Sequence, residues 1–125
     1  MAGNLVHFEL PARDTARAKA FWSALFGWRY QPPWGEMEYH MTDGLSPAGA
    51  IYGAEQTPVG HIVVYFDTDD IDESVARIRE LGGEADDKQP IPHVGWFARC
   101  KDSEGNEFSL FQSDESVPVP EGMQS

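Results

Sequence analysis

Two short stretches of the chain rhyme. Val6-His7-Phe8-Glu9-Leu10 runs into the helix-like segment from Asp14 to Trp28, and His61-Ile62-Val63-Val64-Tyr65-Phe66 runs into the helix-like segment from Asp70 to Gly82. A histidine opens each apolar run, and the two histidines lie 54 residues apart. Each is followed at a similar distance by an acidic turn, an amphipathic helix and a glycine. One module used twice explains this spacing. Pseudo-symmetry then brings His7 and His61 to opposite sides of one cavity.

The side-chain period supports the repeat. In the first run Val6, Phe8 and Leu10 share one face and Leu5, His7 and Glu9 the other, as a period of two requires. Asp14 is placed to cap a helix whose Ala18, Phe21, Trp22, Leu25 and Phe26 form a wide apolar stripe, ending near Gly27. In the second run Ile62, Val64 and Phe66 oppose His61, Val63 and Tyr65. Asp70 and Glu73 read as a capping box, Ile71, Val75, Ile78 and Leu81 as the buried stripe, and Gly82-Gly83 as the stop. Both helices are expected to pack on the sheet face away from the histidines.

Short strand candidates fill the remainder. Gly35 to Met41 and Pro47 to Gly53 flank a turn at Asp43-Gly44, and Gln31-Pro32-Pro33-Trp34 is an irregular connection. After the second helix come Glu84 to Gln89, a break at Pro90-Ile91-Pro92, Gly95 to Lys101, a turn at Asp102 to Asn106, and Phe108 to Gln112. Each half therefore reads as a strand, a helix and about three strands. Residues 114–125 form a Pro-, Glu- and Ser-rich tail.

At 125 residues with 41% hydrophobic content, the chain fits one unit with a single core or two small modules sharing one. The net charge of −12 repels phosphate backbones, which argues against nucleic-acid partners. Cys100 is the only cysteine, so neither an intrachain disulfide nor a thiolate cluster can form. No stretch approaches the roughly 18 apolar residues of a membrane span, and the N-terminus lacks a signal-peptide pattern. The expectation is a soluble cytoplasmic protein without a membrane partner.

The doubled βαβββ pattern resembles the vicinal oxygen chelate superfamily, which includes glyoxalase I, extradiol dioxygenases and the fosfomycin- and bleomycin-resistance proteins. The residues carrying the resemblance are His7 with Asp14, Phe21-Trp22 before Leu25-Phe26-Gly27-Trp28, Gly60-His61, and the run from Asp102 to Leu110. It implies an α+β fold of two tandem βαβββ modules forming a cup-shaped mixed sheet with helices on its convex side. Residues 1–125 are then one domain, with modules at about 4–54 and 60–113. It also implies a homodimer.

In metal-dependent members, first-strand and last-strand side chains of each half bind one divalent ion. Carried over, His7 and His61 take the first-strand positions. The last strands depart from the pattern: Ser109 stands where the second-half glutamate is expected, and the stretch around Ala50 holds no carboxylate before Glu55. Glu9 or Glu107 could complete a set with the two histidines. Glu9 is also the candidate general base. The expected ligand cavity comprises His7, Glu9, Tyr52, His61, Tyr65, Trp96, Ser109 and Phe111, an aromatic wall suited to a flat or apolar molecule. Phe21, Trp22, Phe26 and Trp28 are assigned to helix packing, and His40 and His93 to the surface. Trp34 and Tyr39 are expected to border the cavity. No phosphate loop, nucleophile elbow or HExxH occurs. The leading reading is a small-molecule-binding protein without the full metal site. The alternative is a metal-dependent lyase, isomerase or dioxygenase acting on adjacent oxygens.

Overall fold

A computed structural model describes residues 3–33, 37–53 and 61–118. Two compact units divide the chain, one made of Val6–Val64 and the other of Met1–Leu5 with Tyr65–Ser125. Trp34 and the start of the Gly35 to Met41 strand candidate lie outside the described residues, as does Glu55.

In the unit of Val6–Val64, strand β1 (Leu5–Ala12) leads into α1 (Thr15–Phe26), followed by β2 (Arg29–Tyr30), β3 (Tyr39–Asp43) and β4 (Ala48–Gly53). The Asp14 carboxylate accepts the Arg17 amide at 3.0 Å and starts α1. Gly27 ends the helix in the left-handed region at φ 74, its amide reaching the Ser23 carbonyl. The strand order is β2-β3-β4-β1, with β1 parallel to β4 and the other pairs antiparallel. Gly49 is required beside Phe8, because a Cβ there would lie 2.2 Å from the phenyl ring. Phe8 in turn meets Trp28, which stacks on Trp22 at 4.8 Å.

The apolar stripe of α1 packs less than its sequence implies. No α1 residue is buried, and Phe21, Leu25 and Phe26 are 61%, 55% and 62% exposed. The half-buried positions are Thr15, Ala18, Lys19, Trp22 and Ser23. Polar contacts account for this rotation. Thr15 donates to Glu38 at 2.6 Å, Glu38 accepts from His40 Nε2 at 2.9 Å, and Lys19 Nζ lies 3.3 Å from His40 Nδ1. His40, assigned to the surface from sequence, is thus buried between strand and helix.

The second unit carries β5 (Val63–Asp67), which crosses the unit boundary, then α2 (Ile71–Glu80), β6 (Glu84–Ala85), β7 (Gln89–Ile91), β8 (Gly95–Lys101) and β9 (Glu107–Ser113). The order is β5-β9-β8-β6, with β7 also on β8. The first strand again runs parallel to the last and the remaining pairs are antiparallel. This repeats the connectivity of the first unit and makes the fold mixed α+β.

Ile71 and Val75 of α2 enter a core with Ala98, Cys100 and Leu110. Leu81, expected in the buried stripe, is 62% exposed because the helix ends one residue earlier. The capping box forms by half. Asp70 accepts the Glu73 amide at 3.1 Å, but the Asp70 amide goes to Thr68 Oγ1. The expected strand from Glu84 to Gln89 splits at Asp86 to Lys88, and Pro90-Ile91 joins β7 instead of breaking it. Within the described residues β7 pairs with β8 alone, where a proline costs no ladder bond on its open side. The Asp102 turn forms as expected, its carboxylate accepting the Glu104 and Asn106 amides at 2.9 Å each.

Candidate functional site

The pleat of β1 places His7 and Glu9 opposite Ala48 and Ala50 of β4, on the sheet face away from Phe8 and Gly49. Tyr52 follows on the same face, directly opposite Tyr39 of β3. Two inter-strand steps, about 10 Å, separate β3 from β1. Tyr39 bridges that gap. Its hydroxyl donates to Glu9 Oε2 at 2.7 Å and lies 2.7 Å from His7 Nε2. A carboxylate only accepts, so the phenol proton goes to Glu9 and the Tyr39 oxygen accepts from His7 Nε2–H. Alanines make the crossing feasible, since Ala48 and the fully buried Ala50 present methyls opposite His7 and Glu9.

The result is a directed chain of hydrogen bonds, imidazole to phenol to carboxylate. Burial lowers the His7 pKa below its ordinary value, against the Glu9 charge and a backbone hydrogen bond at Ala48, which both favour the imidazolium. Tyr52 stands beside the Tyr39 ring at 6.4 Å and supplies an apolar wall.

The other expected site residues distribute differently. His61 is exposed and precedes β5 by two residues instead of opening it. Tyr65 is buried and pairs in register with Ser109, itself 1% exposed, while Phe111 pairs with Asp67. Pleat parity puts Tyr65, Ser109 and Phe111 on the face opposite Leu110 and Ala98, which α2 covers. Trp96 departs from the expectation. It packs against the α2-side core, its indole donates to Asp114 at 3.2 Å, and the Lys88 ammonium lies over its ring. Glu107 is exposed at the start of β9, opposite Lys101. Cys100 offers no nucleophile, because burial pushes its thiol up to about 11.

Sequence reading placed Tyr39 at the border of the cavity but missed it as the link between His7 and Glu9. Its signal was the alternation Tyr39-His40-Met41-Thr42, which sends Tyr39 to the site face and His40 to the helix face. Among the described residues, no group of three or more His, Cys, Asp or Glu side chains is placed to hold a metal ion. In the unit of Val6–Val64, His7 Nε2 and Glu9 Oε2 both meet the Tyr39 hydroxyl, and the last strand presents a methyl at Ala50 opposite Glu9.

The doubled connectivity defines the glyoxalase/bleomycin-resistance/dioxygenase class of fold. Residues 6–111 match the family described as Glyoxalase-like domain, and the chain belongs to that family. A glyoxylase-like domain-containing protein of Didymella fabae is 28% identical over 118 residues, covering 86% of this chain and 92% of that protein. A glyoxalase/bleomycin resistance protein/dioxygenase superfamily member from Vibrio splendidus 12B01 superposes with a TM-score of 0.66 at 15% identity, covering 90% of this chain and 100% of that one. Homoprotocatechuate 2,3-dioxygenase from Brevibacterium fuscum superposes with a TM-score of 0.68 at 16% identity. That match covers 98% of this chain but 39% of the dioxygenase. Likeness at these structural identities concerns the fold.

Proposed function

We propose that this protein binds a small organic molecule over the sheet face formed by His7, Glu9, Tyr39 and Tyr52, without a resident divalent ion. One observation carries the reading: the Tyr39 hydroxyl is hydrogen-bonded to both His7 Nε2 and Glu9 Oε2. The two groups that could begin a metal site are thereby joined to each other through a phenol. A fixed donor–acceptor line beside a tyrosine wall suits a ligand with a flat or apolar body and a hydroxyl or carbonyl. If turnover occurs, Glu9 is the base. It lies in the site, is an acceptor, and is oriented by Tyr39.

A thermal-shift screen of phenols, aromatic alcohols and hydroxy acids tests this. Compounds that stabilise the wild-type protein should lose most of that effect in His7→Ala and Tyr39→Phe. Hits indifferent to both variants would remove the site assignment. Metal analysis of untagged protein tests the second half of the reading. A stoichiometric divalent ion, lost in His7→Ala and in His61→Ala, would replace it with the metal-dependent lyase, isomerase or dioxygenase. That alternative draws on the fold shared with the Brevibacterium fuscum dioxygenase.

A further inference from the structure

A second cleft lies on the other face of β1. Buried Pro11 and Ala12 line it with Arg13, Arg17, Phe21 and Trp22, around an open volume of about 610 Å³. Small-molecule sites typically measure about 300–1,000 Å³. The cleft borders α1, and His7, Glu9, Tyr39 and Tyr52 do not line it, so the two places are distinct.

The sequence bordering this cleft is locally basic in an acidic chain. Residues 13–29 carry Arg13, Arg17, Lys19 and Arg29 against a single acid, Asp14, in a chain of net charge −12. Of the five cations outside this stretch, three are paired: Arg77 with Glu80, Arg79 with Asp87, and Lys88 with Asp72. Among the described residues neither the Arg13 nor the Arg17 guanidinium makes an ion pair, and both are exposed. Asp14, which also borders the cleft, is engaged in capping the Arg17 amide. The helix end is therefore already satisfied by its own carboxylate. Any anion preference must come from the guanidiniums. Beside them, Phe21 keeps 61% of its surface exposed while its ring meets Trp22 edge-on at 5.4 Å.

We propose that this cleft is a binding site for an organic anion with an aromatic or aliphatic body, of the carboxylate class. The two guanidiniums hold the carboxylate and the Phe21–Trp22 edge takes the body. The inference does not depend on the function proposed for the opposite face.

Titration with 4-phenylbutyrate, followed by Trp fluorescence and amide shifts at Arg17 and Phe21, tests the proposal. 4-Phenylbutan-1-ol and 4-phenylbutylamine serve as the neutral and cationic comparisons. The acid should bind about tenfold tighter than the alcohol, and the Arg13→Gln/Arg17→Gln double variant should erase that advantage. Phe21→Ser should weaken acid and alcohol alike. Equal binding of the three compounds, or acid binding unchanged in the double arginine variant, would overturn it. Binding lost in His7→Ala or Tyr39→Phe but kept in the arginine variants would also overturn it, leaving the opposite face as the ligand's place. So would sedimentation showing a wild-type dimer that Phe21→Ser converts to monomer, since a second copy would then cover the cleft.

Discussion

The helices α1 and α2 start from nearly the same instructions. Each follows a strand, each is capped by an aspartate that accepts the amide three residues on, and each is closed by a glycine at positive φ. Their attachment differs. Helix α2 inserts Ile71 and Val75 into an apolar core, with acids in its first turn and arginines in its last, the order that the helix dipole favours. Helix α1 buries nothing completely and is held by the Thr15–Glu38–His40–Lys19 cluster on one side and the Trp22–Trp28–Phe8 stack on the other. Local signals therefore fix where a helix begins and ends. The partners on the neighbouring strands decide which side of it meets the sheet.

The largest difference should come from truncation. Ile71→Ala is expected to cost about 2–5 kcal/mol in urea unfolding, as a fully buried aliphatic side chain does, whereas Phe26→Ala should cost less than about 1 kcal/mol. Equal losses would dissolve the contrast between the helices. Next comes Gly49→Ala, which forces Phe8 off its place against Trp28 and should cost about 1–3 kcal/mol. His40→Ala should cost about 1–3 kcal/mol by leaving the Lys19 side of the cluster unmatched. The loss should register as faster hydrogen exchange in α1 while α2 is unchanged. The smallest effect is a pH dependence. His7 has a lower pKa folded than unfolded, so the unfolded chain takes the proton first. Stability should be fully present above about pH 6.5, decline as the pH falls below it, and level off beneath the folded pKa. His7→Gln should flatten that limb of a stability–pH curve.

Much of this fold is legible in the sequence because period-two strands, aspartate caps and glycine stops are local signals. The doubled order of elements, the turn at Asp102 and the strand from Gly95 to Lys101 all follow from residues a few positions apart. The rotation of α1 does not. Its stripe of Ala18, Phe21, Trp22, Leu25 and Phe26 is wider than the contact it makes. The choice of side rests on Glu38 and His40, twenty or so residues away in sequence. The same limit applies at the candidate site. Parity alone placed His7 and Glu9 on one face, but joining them needed Tyr39 from a strand two places across the sheet. Trp96 shows the converse, since its position one residue along β8 from Phe97 commits it to the α2 side.

The alanine at position 50 has a consequence for how this site could change over time. With a bare methyl there, the Tyr39 ring can cross to Glu9 and His7. A carboxylate at that position would meet the ring before it met any ion, and removing Tyr39 alone would leave two donors with no third. The residues at 39 and 50 are therefore coupled, and their substitutions should be strongly non-additive.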